Sequence, residues 1–188
     1  MRLLDLGMSV GRQLDDLPYP AYLLSMSVIA RRLGEIYADL MPEGSRLLAA
    51  QTADAAKAAY LSGGATADDA WQLHRRWEEL VNHPGPDGPL GMYSAMHTLN
   101  LLACEVAGKL QPRAALDQVT NAAKLPDPMA PHPAEPQLVR VDPAQQADES
   151  SPTVQLMRKY EEVARLAARQ HRTGLTCDPD QIYSIVFG

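Results

Sequence analysis

Residues 45–64 read SRLLAAQTADAAKAAYLSGG. Ala49, Ala50, Ala53, Ala55, Ala56, Ala58 and Ala59 crowd a proline-free stretch, and alanine has the highest helix propensity of any residue. Ser45 is placed to cap the start, and Gly63-Gly64 to stop the end. The reading is a helix over 46–62 whose small side chains let a second helix come close.

The same period continues on both sides. Toward the N-terminus, Leu3, Leu6, Val10 and Leu14 recur at spacings of three and four in an amphipathic segment over 2–16. Leu17-Pro18-Tyr19-Pro20 breaks it, and Pro20 suits the first turn of a longer helix, about 20–41. Its apolar positions include Leu23, Met26, Ile29, Leu33, Ile36 and Leu40, and Pro42-Glu43-Gly44 ends it. Toward the C-terminus, Thr66 and Asp69 resemble a capping box that opens a helix to about Asn82. Leu73, Trp77, Leu80 and Val81 make its apolar face, with Trp71 flanking it. The run His83 to Pro89 holds three prolines and two glycines and reads as a loop. A helix over about 90–109 follows, then a shorter one opened by Pro112 and running to 124.

The character then changes. Pro126, Pro128, Pro131, Pro133 and Pro136 follow one another without periodicity, and only Gln137 to Val141 has an extended pattern. Residues 126–151 carry one basic and five acidic groups. This stretch reads as an acidic linker or crossover. Ser151-Pro152 then opens a helix to about Arg172, with Val154, Met157, Tyr160, Val163, Leu166 and Ala167 as its stripe and Gly174 beyond its end. Asp178, Pro179 and Gln181 form another capping pattern, so Ile182 to Phe187 is expected to dock as a short helix. The expected fold is all-α, six or seven helices with a Pro-rich crossover before the last long one. Residues 1–125 form the core, 126–151 the crossover and 152–188 the C-terminal helix and docking tail of one domain.

Composition sets limits on function. The chain has 188 residues, 46% hydrophobic and 21% charged, which excludes wholesale disorder. Two cysteines, Cys104 and Cys177, support neither a disulfide framework nor a four-thiolate zinc site. The opening MRLLDLGMSVGRQLDD has too short an apolar run for a signal peptide, and no stretch suggests a membrane span. A cytoplasmic location is expected. The net charge of −6 disfavours nucleic acid, which is bound through neutralised phosphates.

Four constellations carry candidate chemistry. His74 and Glu78 share a helix face, and His97 and Glu105 lie eight apart on the next long helix; antiparallel packing would let these four converge on a metal ion. The plainer reading is an exposed His74–Glu78 helix pair. Cys177 precedes a helix start and has His171 upstream, but Asp178 and Asp180 oppose a lowered thiol pKa. Arg158, Arg165, Arg169 and Arg172 share one face of the last long helix, where Glu161–Arg165 and Arg158–Glu162 spacings allow self-pairing. Trp71 is an aromatic anchor candidate for an interface, together with Arg158, Arg165 and Arg169. No phosphate loop, dinucleotide fingerprint or nucleophile elbow is present.

The leading expectation is a non-catalytic interaction module of the immunity or antitoxin type. It would cover a basic protein partner, need no cofactor and be compatible with a homodimer. The alternatives are a small-molecule-binding helical domain, with eight methionines available to line a pocket, or a helical-bundle metalloenzyme.

Overall fold

A computed structural model describes residues 1–62, 67–82, 88–122 and 142–188. Among them are eight helices: α1 (Leu3–Asp15), α2 (Tyr19–Ile36), α3 (Ser45–Ser62), α4 (Ala67–Asn82), α5 (Leu90–Val106), α6 (Leu116–Ala122), α7 (Pro152–Thr173) and α8 (Pro179–Phe187). The protein is all-α; the described residues contain no strand, and an isolated antiparallel bridge pairs Arg2 with Gln146. No described helix is long and apolar enough to cross a membrane. The capping-box residue Thr66, the stop at Gly63-Gly64, most of the His83–Pro89 loop and the extended pattern at 137–141 lie outside the described residues.

The centre of the bundle is α2. Every residue from Ala21 to Ala30 is buried, including Ser25 and Ser27. A helix buried all round must be enclosed by neighbours, and α1, α3, α5, α7 and α8 all pack on it. Ser25 satisfies its hydroxyl within the helix by donating to the Ala21 carbonyl at 2.9 Å.

The most extensive of these packings is α2 on α3. Its cause is the small-residue surface of both helices. A Cβ built on Gly34 would lie 2.6 Å from Ala49 Cβ, which real carbon atoms do not tolerate. Both atoms are fixed to helical backbone, so neither can rotate away. Gly34→Ala is therefore expected to destabilise the protein by about 1–3 kcal/mol despite alanine's better helix propensity. Adding Ala49→Gly should recover part of that loss, as measured by denaturant unfolding of the double-mutant cycle.

The ends of the helices show which local signals prevailed. α5 stops in a Schellman motif: Gly108 has φ +70°, its N–H donates to Glu105 O at 2.9 Å, and Lys109 N–H donates to Cys104 O at 3.1 Å. α7 ends at Gly174 with φ +67°, and the Asp178 side chain caps α8 by accepting from Asp180 N at 3.1 Å. Ile182, Tyr183 and Val186 of α8 are buried, so the tail docks as its pattern requires. Two expectations are corrected. Ser45 is not a cap but the first helical residue; Gly44, at φ +83°, supplies the carbonyl that accepts from Leu48 N–H at 3.1 Å. Pro112 does not open a helix either. Arg113 takes a left-handed φ of +70° and α6 begins only at Leu116, because the Glu105 carboxylate captures the N–H groups of Arg113 and Ala115.

The described part of the acidic stretch, from Asp142 onward, returns to the N-terminus. Leu3 N–H donates to Gln145 O at 2.9 Å and Ala147 N–H to Met1 O at 2.8 Å.

Candidate functional site

The proposed metal ligands occupy separate surroundings. His74 is half-buried on α4, with Nδ1 2.7 Å from Asn100 Oδ1 and its ring stacked on Trp71 at 4.9 Å. Glu78 and His97 are exposed on α4 and α5. Glu105 is only 3% exposed, and its two oxygens serve four donors: Tyr19 Oη at 3.0 Å, Tyr22 Oη at 3.1 Å, Arg113 N at 2.8 Å and Ala115 N at 3.2 Å. Among the described residues no three His, Cys, Asp or Glu side chains gather closely enough to hold a metal ion. Burial and the Glu105 charge raise the Tyr19 and Tyr22 phenols above their ordinary range, so both remain donors. Glu105 therefore ties the start of α2 to the α5–α6 turn.

The arginine stripe divides in two. Arg158 is held by Glu149 at 2.8 Å and Glu161 at 3.0 Å. Glu161 does not face Arg165; it is buried and accepts from Ser9 at 2.8 Å and Gln13 at 3.2 Å, linking α7 to α1. Arg165 and Arg169 are exposed, and Trp71 is half-buried with Lys109 Nζ 5.7 Å from its ring. Cys177 is buried; burial first, then Asp178, pushes its thiol pKa up, which suppresses nucleophilicity. His171 is exposed.

A different set of residues forms a built concavity. Between α2, α5, α6 and α7 lies a cavity of about 310 Å³ whose walls include Leu33, Ile36, Ala95, Val119, Leu156 and Met157. Among the polar side chains that line it are Arg32 from α2, and Thr153 and Tyr160 from α7. Thr153 is 6% exposed and Tyr160 1%, and neither hydroxyl has a hydrogen-bond partner. Arg32 Nε is likewise buried and unpartnered. A buried polar atom without a partner costs about 1–3 kcal/mol, so three such atoms around one cavity are a departure that needs a cause.

Thr153 and Tyr160 are seven residues apart, two turns of the same helix face, and thus roughly 10 Å along α7. The pattern placed Tyr160 in the buried stripe but did not single out Thr153 or Arg32. The available signal was a pair of hydroxyls, one just before the apolar helical stripe and one within it. The fold adds the charge, since only tertiary packing brings Arg32 to the cavity. Burial raises the Tyr160 phenol pKa, with Tyr37 and Tyr183 adding to the rise and the Arg32 charge opposing it, so Tyr160 stays a protonated donor facing a cation.

Comparison of the chain with protein-family models, curated proteins and solved structures finds no match. What fold and cavity define together is an all-helical bundle with an apolar, part-enclosed cavity set against its central helix.

Proposed function

We propose that this protein is a non-catalytic helical domain that binds a small, largely apolar molecule in the cavity between α2, α5, α6 and α7. The observation that carries the reading is the pair of unpartnered hydroxyls, Thr153 and Tyr160, in an apolar cavity of about 310 Å³. Ligand sites combine an apolar lining with a few polar groups that fix orientation, and groups reserved for a ligand lack partners without it. Met157 and Leu156 supply adaptable contact area along the floor.

The test uses a neutral apolar probe, 1-octanol, titrated into the protein by calorimetry. Saturable one-to-one binding with a millimolar or tighter Kd is expected. Ala95 is 1% exposed and lines the cavity, so the extra carbons of Ala95→Leu enter the void. That variant should stay folded and weaken octanol binding at least fivefold. An unchanged affinity in folded Ala95→Leu would overturn the reading.

A second reading is the acidic module that covers a basic protein partner. It is supported by the net charge of −6 and by Ile36, Leu40 and Leu47, which are 37%, 44% and 60% exposed on α2, the turn after it and α3. Under that reading, charge reversal of surface acids abolishes activity while cavity-filling variants leave it intact.

A further inference from the structure

We infer that the cavity takes an apolar carboxylate, its anionic head held by Arg32 and Tyr160 and its hydrocarbon tail lying along the α7 side of the cavity. This rests on reading the cavity as a ligand site, and it adds the class of ligand.

Most of the charges near Arg32 are already committed. Glu35 is the carboxylate nearest Arg32, but it is engaged elsewhere: Arg31 Nε lies 3.2 Å from its Oε1, and Tyr183 Oη donates to its Oε2. Arg32 Nη1 forms only a long ion pair with that Oε2, at 3.8 Å and without a hydrogen bond. Arg32 Nε is left buried with no acceptor. Lys159 borders the same end of the cavity; its Nζ donates to Val186 O at 2.7 Å, so it adds positive potential from a fixed position. The Arg32 guanidinium and Lys159 ammonium lie 5.1 and 5.2 Å from the Phe187 ring centroid, which places both cations around one aromatic side chain. The Tyr160 hydroxyl, protonated and unpartnered, feels the Arg32 charge.

Arg32 offers donors only and its fixed positive charge repels an ammonium, while the unpartnered Tyr160 hydroxyl can donate to an anion. A guanidinium beside a phenol O–H is matched by a carboxylate, which accepts from both in one plane. Thr153, at the other end, carries a neutral hydroxyl and does not set the charge of the head. The wall between is apolar and matches a hydrocarbon chain.

The experiment compares three probes of equal chain length by calorimetry at neutral pH: octanoate, 1-octanol and octylammonium. Octanoate is expected to bind about tenfold or more tighter than octanol, the ratio that charge-assisted hydrogen bonds provide, and octylammonium weakest. Arg32→Met keeps the apolar stem and removes the charge; it should erase the octanoate preference and leave octanol affinity unchanged. Tyr160→Phe should weaken octanoate several-fold while leaving the melting temperature equal or higher, because it removes a buried hydroxyl that has no partner. A purely structural Tyr160 would lower it. Thr153→Val should retain the preference. Equal affinities for octanoate and octanol would overturn the carboxylate assignment and leave the cavity reading standing. Loss of the preference in Thr153→Val would overturn the placement of the head. Binding of none of the three probes would overturn both.

Discussion

Replacing Glu105 with alanine is expected to lower stability by about 3–5 kcal/mol, a fall in melting temperature of roughly 8–15 °C for a chain of this size. The carboxylate is 3% exposed and is the acceptor for two phenols and two backbone N–H groups. Removing it leaves those donors buried, and each orphan costs about 1–3 kcal/mol before relaxation. The phenols can turn toward other acceptors, but the N–H groups of Arg113 and Ala115 are fixed in a turn. Arg113 holds its left-handed φ of +70° there, which a non-glycine residue adopts only when its surroundings enforce it. The same turn aims the Arg113 guanidinium at the Leu14 carbonyl at 3.1 Å and at Leu17 O, and places it 5.0 Å from the Tyr22 ring centroid. Losing Glu105 therefore loosens the end of α1, the start of α2 and the α5–α6 turn together. Glu105→Gln should recover only part of the loss, because its amide NH₂ faces donors. Thermal melts of the two variants, with Tyr19→Phe and Tyr22→Phe as smaller perturbations, check the ranking. A Glu105→Ala melt within about 2 °C of the parent would contradict the role assigned to it.

Trp77→Ala is expected to cost about 3–5 kcal/mol, again read from denaturant or thermal unfolding. Trp77 has no exposed surface and is among the largest fully buried side chains. Its Nε1–H donates to Thr52 Oγ1 at 2.9 Å, and that hydroxyl donates in turn to Leu48 O at 2.8 Å. The chain of two bonds fixes α4 against α3, whose buried face is rich in alanine. Truncation leaves a ring-sized void that small neighbours on helical backbone fill poorly. Trp77→Phe should cost clearly less, since it keeps most of the apolar volume and leaves Thr52 bonded to Leu48. Equal losses for the two substitutions would show that the hydrogen bond, and not the volume, dominates.

These two residues show where sequence reading succeeds and where it stops. Trp77 fell on the stripe of Leu73, Leu80 and Val81, and period alone placed it inside. Glu105 also stood out, as a polar residue on an apolar helix, but its partners Tyr19 and Tyr22 lie more than eighty positions away. A carboxylate that must be satisfied by something looks the same in one dimension whether a metal ion or two phenols and a turn satisfy it. His74 was legible as a metal-ligand candidate or as half of a helix pair; its hydrogen-bond partner is Asn100, on the next helix.

The chain order of the bundle followed from local chemistry. Alanine content made α3 helical, periodicity marked α1, α2, α4, α5 and α7, and the left-handed backbone of Gly174 and the side chain of Asp178 set the bounds of the C-terminal pair. Such signals act over a few residues, so a sequence carries them in full. Tertiary packing decided the rest. It buried α2 on every side, overrode Pro112 by drawing the Arg113 and Ala115 N–H groups onto Glu105, and brought Arg32 to the cavity that Thr153 and Tyr160 line. These outcomes depend on which distant helices meet and how closely. Close approach is set by pairs such as Gly34 and Ala49, whose effect exists only once the two helices are side by side.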